Sequence, residues 1–285
     1  EPVNPLGSKQ NFKIEKNQAV YTIALNLENT RLIRSATAFR LFLVYSGLDT
    51  GIQAGEYTLS PAQNGLEIAR ALQDATPSEI TFRILPGWRT EEIAASLPTS
   101  GLRVTSEEFL KEAQKPSIAG IPSSLEHLKS FDGFFFPDTY RFKREATAQE
   151  MVATFLRRFD ETISYDLRTA FKRQGLDLAQ AVVLASIIQR EAMIIKEQPM
   201  IASVFYNRLK VKMRLESDPT VQFAVGYNRD QGTWWTNPLS ATHLKINSPY
   251  NTYRNKGLPP GPINSPGISA INAALYPQQS DYLFF

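Results

Sequence analysis

The chain has 285 residues, 42% of them hydrophobic, with 17 Phe and 11 Tyr, so it is not a disordered protein and can bury the core of one large domain or two modest ones. Its 31 basic and 28 acidic residues leave a net charge of +3, compatible with an anionic polymer or membrane surface, and no dense Lys/Arg block interleaved with aromatics points to nucleic acid. The absence of cysteine excludes disulfides, thiol catalysis and thiolate metal sites, and the two lone histidines, His127 and His243, lack ligand spacing, so neither a metal site, a Ser-His-Asp triad nor a cofactor is expected.

No apolar run approaches the length of a membrane span, and no signal peptide is expected in the chain as given. The start at Glu1-Pro2-Val3 and the stop within Tyr282-Leu283-Phe284-Phe285 read as cuts in a longer protein.

In chain order, Phe12 and Ile14 alternate with polar neighbours and predict a strand. Apolar residues at helical spacing predict helices over Val20 to Leu32 and Ala36 to Tyr45. Gly55 to Leu59 reads as a short strand, and Gly65 to Ala75 as a helix through Leu66, Ile68, Ala69 and Leu72. Strand-helix-helix-strand is the order of a LysM-like βααβ module, a kind that often binds N-acetylglucosamine polymers and could equally act as a spacer. The expected boundary of this unit is 1–77, with a larger domain over 78–285.

The second block opens with an alternating strand, Ile80 to Leu85, ended by Pro86-Gly87. Thr90 is expected to cap a helix whose first turn holds Glu91 and Glu92, where the helix dipole favours anions. Ser106 to Leu110 reads as another helix start, and Lys115 to Pro122 as a surface loop. The aromatic run Asp132 to Tyr140 either packs subdomains together or lines a sugar-stacking wall, with packing the preferred reading. Helices follow over 147–162 and 165–173, with Gly175 as a stop and Asp177 capping the next helix.

That next helix carries a carboxylate where an apolar residue is expected. At roughly 100° per residue, Leu184, Ile187, Ile188 and Glu191 share one stripe, while Gln189 and Arg190 point elsewhere. A carboxylate on a core-facing stripe loses water, which disfavours its charged form and raises its pKa, as a general acid working near neutral pH requires. The alternative is a helix-end Glu that reaches solvent or pairs with an arginine. In the following helix, Pro199 to Lys210, Arg208 shares a stripe with Ile201, Val204 and Phe205. A direct Arg208–Glu191 ion pair would lower the Glu pKa and weaken the acid reading, so Arg208 is placed as a substrate-facing or supporting group. Asp218, before Pro219, is expected in a turn or as a helix cap, with a role as partner carboxylate the alternative.

The segment 247–267 is rich in Pro, Gly and Asn, which forbids a long helix and predicts a long ordered loop. Tyr250 and Tyr253 offer faces for sugar rings, and the Asn and Thr side chains match sugar hydroxyl and N-acetyl groups. A rigid structural wrap is the alternative to a binding loop.

The runs Leu184 to Ala192, Ala202 to Leu209, Met213 to Thr220, Ser248 to Tyr253 and Gly257 to Ile263 together resemble the YceG-like endolytic murein transglycosylases. Phe134 to Tyr140, Leu85-Pro86-Gly87-Trp88 and Ala54-Gly55-Glu56-Tyr57 extend the resemblance, in order, over most of the chain. It implies an α+β protein in which the small LysM-like subdomain precedes a mixed α/β catalytic domain. Within that domain, 78–175 would be a linking portion and 176–285 would carry the site. It implies a bacterial enzyme, anchored in the cytoplasmic membrane by a helix absent here, with its catalytic part outside the cytoplasm. Such enzymes cut peptidoglycan glycan strands between N-acetylmuramic acid and N-acetylglucosamine and leave 1,6-anhydromuramic ends.

Many members carry two Glu residues two apart in the first motif; here the first is Gln189, so the catalytic role falls on Glu191. Within the motifs, the candidate substrate-binding residues are Ser186, Asn207, Arg208, Ser217, Asp218, Tyr250, Asn251, Thr252, Tyr253 and Pro260. Family chains usually continue past the Tyr-Leu-Phe run, so the catalytic domain is expected to be truncated at its C-terminus. The expected partners are glycan strands, peptidoglycan synthases, and division and elongation proteins. Two other readings remain: a lysozyme-like muramidase that uses Asp218 as second carboxylate, and a non-catalytic cell-wall scaffold.

Overall fold

The computed structural model describes residues 1–74, 79–115, 119–128, 130–192 and 194–285. The chain forms two compact units, Glu1–Ile80 and Thr81–Phe285. The expected boundary at 77/78, the end of the third helix at Ala75 and the middle of the Lys115 to Pro122 loop lie outside the described residues.

In the first unit, β1 (Gln10–Ile14) is followed by α1 (Val20–Asn29), α2 (Ala36–Ser46), β2 (Gly55–Leu59) and α3 (Gly65–Ala71). β1 and β2 pair antiparallel with Phe12 opposite Tyr57, which puts alternate residues of both strands on one face. That face, with Ile23, Leu27, Phe39, Leu43 and Ile68, makes one apolar core. α1 ends at Asn29, short of the expected Leu32, because Leu32 and Ile33 turn inward and join the core. Ser35 caps α2 through its hydroxyl, and Gly47 ends it at φ +70°, a conformation that glycine adopts without steric cost.

The second unit begins with β3 (Glu79–Arg83), whose first two residues belong to the preceding unit by compactness, and continues with α4 (Thr90–Ser96) and α5 (Ser106–Ala113). Then come β4 (Thr139–Lys143), paired with β3, and the helices α6 (Ala148–Thr162) and α7 (Tyr165–Arg173). Thr90 is not the cap of α4. Arg89 holds that position, its backbone N–H donating to Glu92 Oε2 at 2.9 Å, while the Thr90 hydroxyl donates to Asp132. The aromatic connector packs as the core reading expects. Phe134, Phe135 and Phe136 are buried, and their rings meet Phe109, Phe155 and Phe159 at 4.9–6.5 Å.

The remaining helices are α8 (Leu178–Glu191), α9 (Gln198–Lys210), α10 (Asp218–Val225) and α11 (Ile268–Leu275). Gly175, at φ +83°, breaks the chain after α7, and Asp177 caps α8 by accepting from the Gln180 N–H at 2.8 Å. α8 packs against α7, α9, α10 and α11, and every residue from Ala181 to Ile188 is buried. A helix apolar on all sides belongs at the centre of its unit, and this one delivers Glu191 from the centre to its rim. Among the described residues, no helix is long and apolar enough to cross a membrane.

Candidate active site

Glu191 is the last residue of α8 and continues the stripe of Leu184, Ile187 and Ile188, which are fully buried. Its carboxylate accepts one side-chain hydrogen bond, from Ser217 Oγ to Oε2 at 3.3 Å. Burial pushes its pKa up to about 7, and the negative charge of Asp218 adds to the rise; the Ser217 bond and the positive charge of Arg208 pull the other way. Desolvation dominates: among the described residues no cation pairs with the carboxylate directly, and Arg208 Nε and Nη1 donate to backbone carbonyls elsewhere.

The segment that meets Glu191 is shaped by its own backbone. Glu216 sits at φ +48° and turns the chain just before Ser217. The Ser217 N–H donates to Thr252 Oγ1 at 3.0 Å, and its carbonyl accepts from Thr220 Oγ1 at 2.6 Å. Thr220 and Thr252 also bond to one another at 2.8 Å, so two buried hydroxyl side chains and the Ser217 backbone lock α10 to the long loop. Asp218 is the first helical residue of α10, with Ser217 at the cap position, so the expected capping role is not its own. Its side chain is exposed and accepts from Tyr253 Oη at 2.6 Å. Burial, then that bond, raise the Tyr253 pKa, keeping the phenol protonated.

The structure therefore gathers Ser217, Asp218, Thr252 and Tyr253 around Glu191 and disperses the other expected residues. Ser186 is wholly buried on another face of α8, donating to the Val183 carbonyl and accepting from the Ile263 N–H. With Gln189, which accepts from the Gly267 N–H at 2.9 Å, it fastens the end of the long loop to the helix. Asn251 is buried and spends its amide on the Leu244 and Ile246 carbonyls, bracing the loop internally. Pro260 is exposed beside the buried Pro259.

Asn207 and Arg208 hold the last residues of the chain. The Asn207 amide reaches the Ser280 and Tyr282 carbonyls, and Arg208 Nε reaches the Leu283 carbonyl at 2.6 Å. The other end of the same guanidinium donates to the Leu215 carbonyl, also at 2.6 Å. No helix or strand forms between 247 and 267 except short turns, as the Pro, Gly and Asn content requires.

One glycine is indispensable to this docking. Gly133 sits at φ +80°, and a Cβ there would lie 2.4 Å from Pro262 and 3.1 Å from the Asn264 carbonyl. Asn264 in turn donates to the Ser186 carbonyl at 2.7 Å. Gly133→Ala is expected to destabilise the protein by about 2–3 kcal/mol through backbone strain and overpacking. A denaturant midpoint equal to that of the unmodified chain would refute this.

Sequence reasoning overlooked a cluster of rings beside the site. The Arg89 guanidinium, almost wholly buried, lies 4.2 Å from the Phe223 ring centre and 4.7 Å from that of Trp234. Arg190 lies 4.0 Å over Trp235, whose indole N–H donates to Glu92 Oε2 at 3.0 Å. Tyr250 packs at a tilt of 43° against Phe223, ring centres 4.6 Å apart, and Tyr227 at 59° against Trp234, 5.1 Å apart. The available signal was the Trp234-Trp235 pair, next to Tyr227, in a Gly/Asn/Asp-rich turn.

The sequence model of the YceG-like family matches residues 12–285. The endolytic murein transglycosylase of Bacillus subtilis (strain 168) is 31% identical over 287 residues, 96% of this chain and 78% of its own length. That of Streptococcus pneumoniae (strain ATCC BAA-255 / R6) is 28% identical over 295 residues, 95% of this chain and 53% of its own length. The chain thus spans about half of this streptococcal relative. A crystal structure of a yceG-like protein from Listeria monocytogenes superposes with a TM-score of 0.65 at 31% identity, covering 98% of this chain and 93% of that one.

Proposed function

The chain belongs to the YceG-like family, and on that footing we propose that it is an endolytic murein transglycosylase that cuts the glycan strands of peptidoglycan and leaves 1,6-anhydro-N-acetylmuramic ends. The observation that carries this reading is Glu191, whose pKa of about 7 leaves it protonated on much of the protein at neutral pH and able to both give and take a proton.

In this mechanism the Glu191 proton goes to the glycosidic oxygen as the bond to the muramic C1 breaks. The C6 hydroxyl oxygen of the same sugar bonds to C1, and its proton returns to the Glu191 carboxylate. No water is consumed, so the second carboxylate that a hydrolytic glycosidase places beside its acid is not needed. Ser217 orients the carboxyl through the 3.3 Å bond, and Asp218 helps it to keep its proton. Tyr253, held by Asp218, presents a ring at the rim of the site.

The first unit is read as LysM-like from its βααβ order. The second is read as a linking portion to 175 followed by the part that carries the site. A bacterial protein anchored in the cytoplasmic membrane, with this portion outside and peptidoglycan synthases and division or elongation proteins as partners, completes the proposal. The names of the relatives and the family match support the substrate class.

The muramidase reading keeps one point in its favour, the charge coupling of Asp218 to Glu191. Mass analysis of ends released from intact sacculi separates the two. The proposal expects ends lighter by one water than hydrolysed ends. Reducing, hydrolysed ends would establish the muramidase, and no new ends at all would establish a non-catalytic scaffold.

A further inference from the structure

Beyond Glu191, the molecule holds a row of aromatic side chains that the mechanism does not use. It starts at Tyr253, whose hydroxyl is fixed on Asp218 at the first turn of α10. The long loop then runs beside α10, so that Tyr250 meets Phe223 near the far end of that helix, ring centres 4.6 Å apart. The Arg89 guanidinium continues the row, 4.2 Å from Phe223 on one side and 4.7 Å from Trp234 on the other. Tyr227, half exposed and 5.1 Å from Trp234, ends it. From Tyr250 to Tyr227 the members follow one another at 4.2–5.1 Å, with the Arg89 guanidinium between Phe223 and Trp234, and Tyr253 stands on the same loop as Tyr250, bonded to Asp218.

The row is built to stay in place. Residues 228–233 form a closed turn in which Asn228 and Thr233 exchange backbone hydrogen bonds at 2.7 and 3.2 Å. The Asn228 side-chain oxygen accepts from the Asp230 and Gln231 N–H groups, and Gly232 supplies a φ of +63°. Trp235 anchors the turn from below, buried, donating to Glu92 and covered by Arg190. Trp234 is left half-buried at the surface, and Arg89 is itself pinned by Glu91 at 3.0 Å. A buried arginine held by a carboxylate and clamped between rings fixes two ring planes without any ligand.

We propose that Phe223, Trp234 and Tyr227, with Tyr250, form a sugar-stacking track that holds N-acetylhexosamine units of a glycan strand several rings away from the bond at Glu191. Aromatic faces pack the apolar faces of pyranose rings, and fixed rings bind with little loss of side-chain entropy. The alternative occupant of an aromatic patch, another protein, would not require the row to lead to Glu191. The proposal rests on the glycan reading of the site, and it adds that tight binding of long strands depends on Trp234.

The test uses Trp234→Ala and Tyr227→Ala, with Trp234→Phe as the conservative control, and two readouts. Depletion of each protein by insoluble, peptide-free glycan gives binding without turnover, and product analysis compares long strands with a short oligosaccharide that spans only the cleaved bond and its neighbours. Loss of one stacked ring is expected to weaken glycan binding about tenfold. kcat/KM on long strands should fall by the same factor, through KM, while the short substrate is cut at the unmodified rate and Trp234→Phe recovers most of the loss. Unchanged glycan binding by Trp234→Ala, or an equal loss on short and long substrates, would overturn the track. Track-dependent binding by a protein that leaves no anhydro ends would overturn the proposed reaction and leave the track standing.

Discussion

Glu191→Gln is expected to lower the formation of anhydro ends about 10³-fold or more, since one positioned acid that also serves as base accounts for about 10²–10⁴ in rate. Gln keeps the shape and can still accept from Ser217 Oγ, so glycan binding and the fold should be retained. Turnover by the unmodified chain should fall as pH rises through about 7, where the Glu191 proton is lost. Asp218→Asn should move that limb to lower pH, because the Asp218 charge is one cause of the raised pKa. Undiminished turnover by the Gln variant would sink the assignment.

The same substitution has an opposite effect on stability. A glutamate in the unfolded chain titrates near 4.3, and Glu191 in the folded chain near 7. Between these values the folded state keeps a proton that the unfolded state has released, so stability declines as pH rises across that window and is level above it. A neutral Gln carries no such cost. Glu191→Gln should therefore be more stable than the unmodified chain at pH 8, by about 3–4 kcal/mol, and no more stable at pH 4. Thermal unfolding at the two pH values measures this, and an equal difference at both would mean that the carboxyl is not desolvated.

Arg208→Ala is the second large effect. It removes two charge-assisted hydrogen bonds, one buried and one part-buried, and leaves the carbonyls of Leu215 and Leu283 without their donor, at a cost of about 3–5 kcal/mol. The guanidinium also covers the Phe284 ring at 5.1 Å, so the terminal segment loses both a bond and a packing partner. Arg208→Lys, a point charge without the planar fork, should recover only part of the loss.

Leu215 lies two residues before Ser217, so freeing its carbonyl loosens the segment that orients Glu191. Arg208 is thus proposed as a positioning residue, and its pH signature separates that role from a merely structural one. Loss of its charge and of a well-placed Ser217 both raise the Glu191 pKa, so Arg208→Ala should show lower turnover with the alkaline limb moved to higher pH. An unmoved limb would reduce Arg208 to an anchor for the end of the chain.

Several elements were legible because their causes are local. Asp177 marks the start of α8 and Gly175 the end of α7, because capping and left-handed turns depend on a few adjacent residues. The stripe of Leu184, Ile187, Ile188 and Glu191 could be read from helical period alone, and it placed the carboxyl at a buried edge. Composition likewise fixed 247–267 as a long loop, since proline and glycine exclude regular structure wherever the segment lies.

Partners across the chain were not legible in this way. A polar residue in a motif can face the ligand or the protein's own backbone, and its type does not say which. Ser186, Asn251 and Asn207 face backbone carbonyls, and Arg208 ties residues 215 and 283 together. Asp218 came out at the site's rim and not as a cap, because the turn at Glu216 sets Ser217 at that position. The pairing of Arg89 with Phe223 and Trp234, separated from it by more than a hundred positions, depends on how α4, α10 and the following turn pack. The sequence by itself determined that Glu191 continues an apolar helical stripe, because side-chain direction follows from period, and left open whether its carboxyl is buried or reaches solvent. Only the tertiary structure decided which groups stand around it, because those contacts join segments whose separation along the chain carries no distance information.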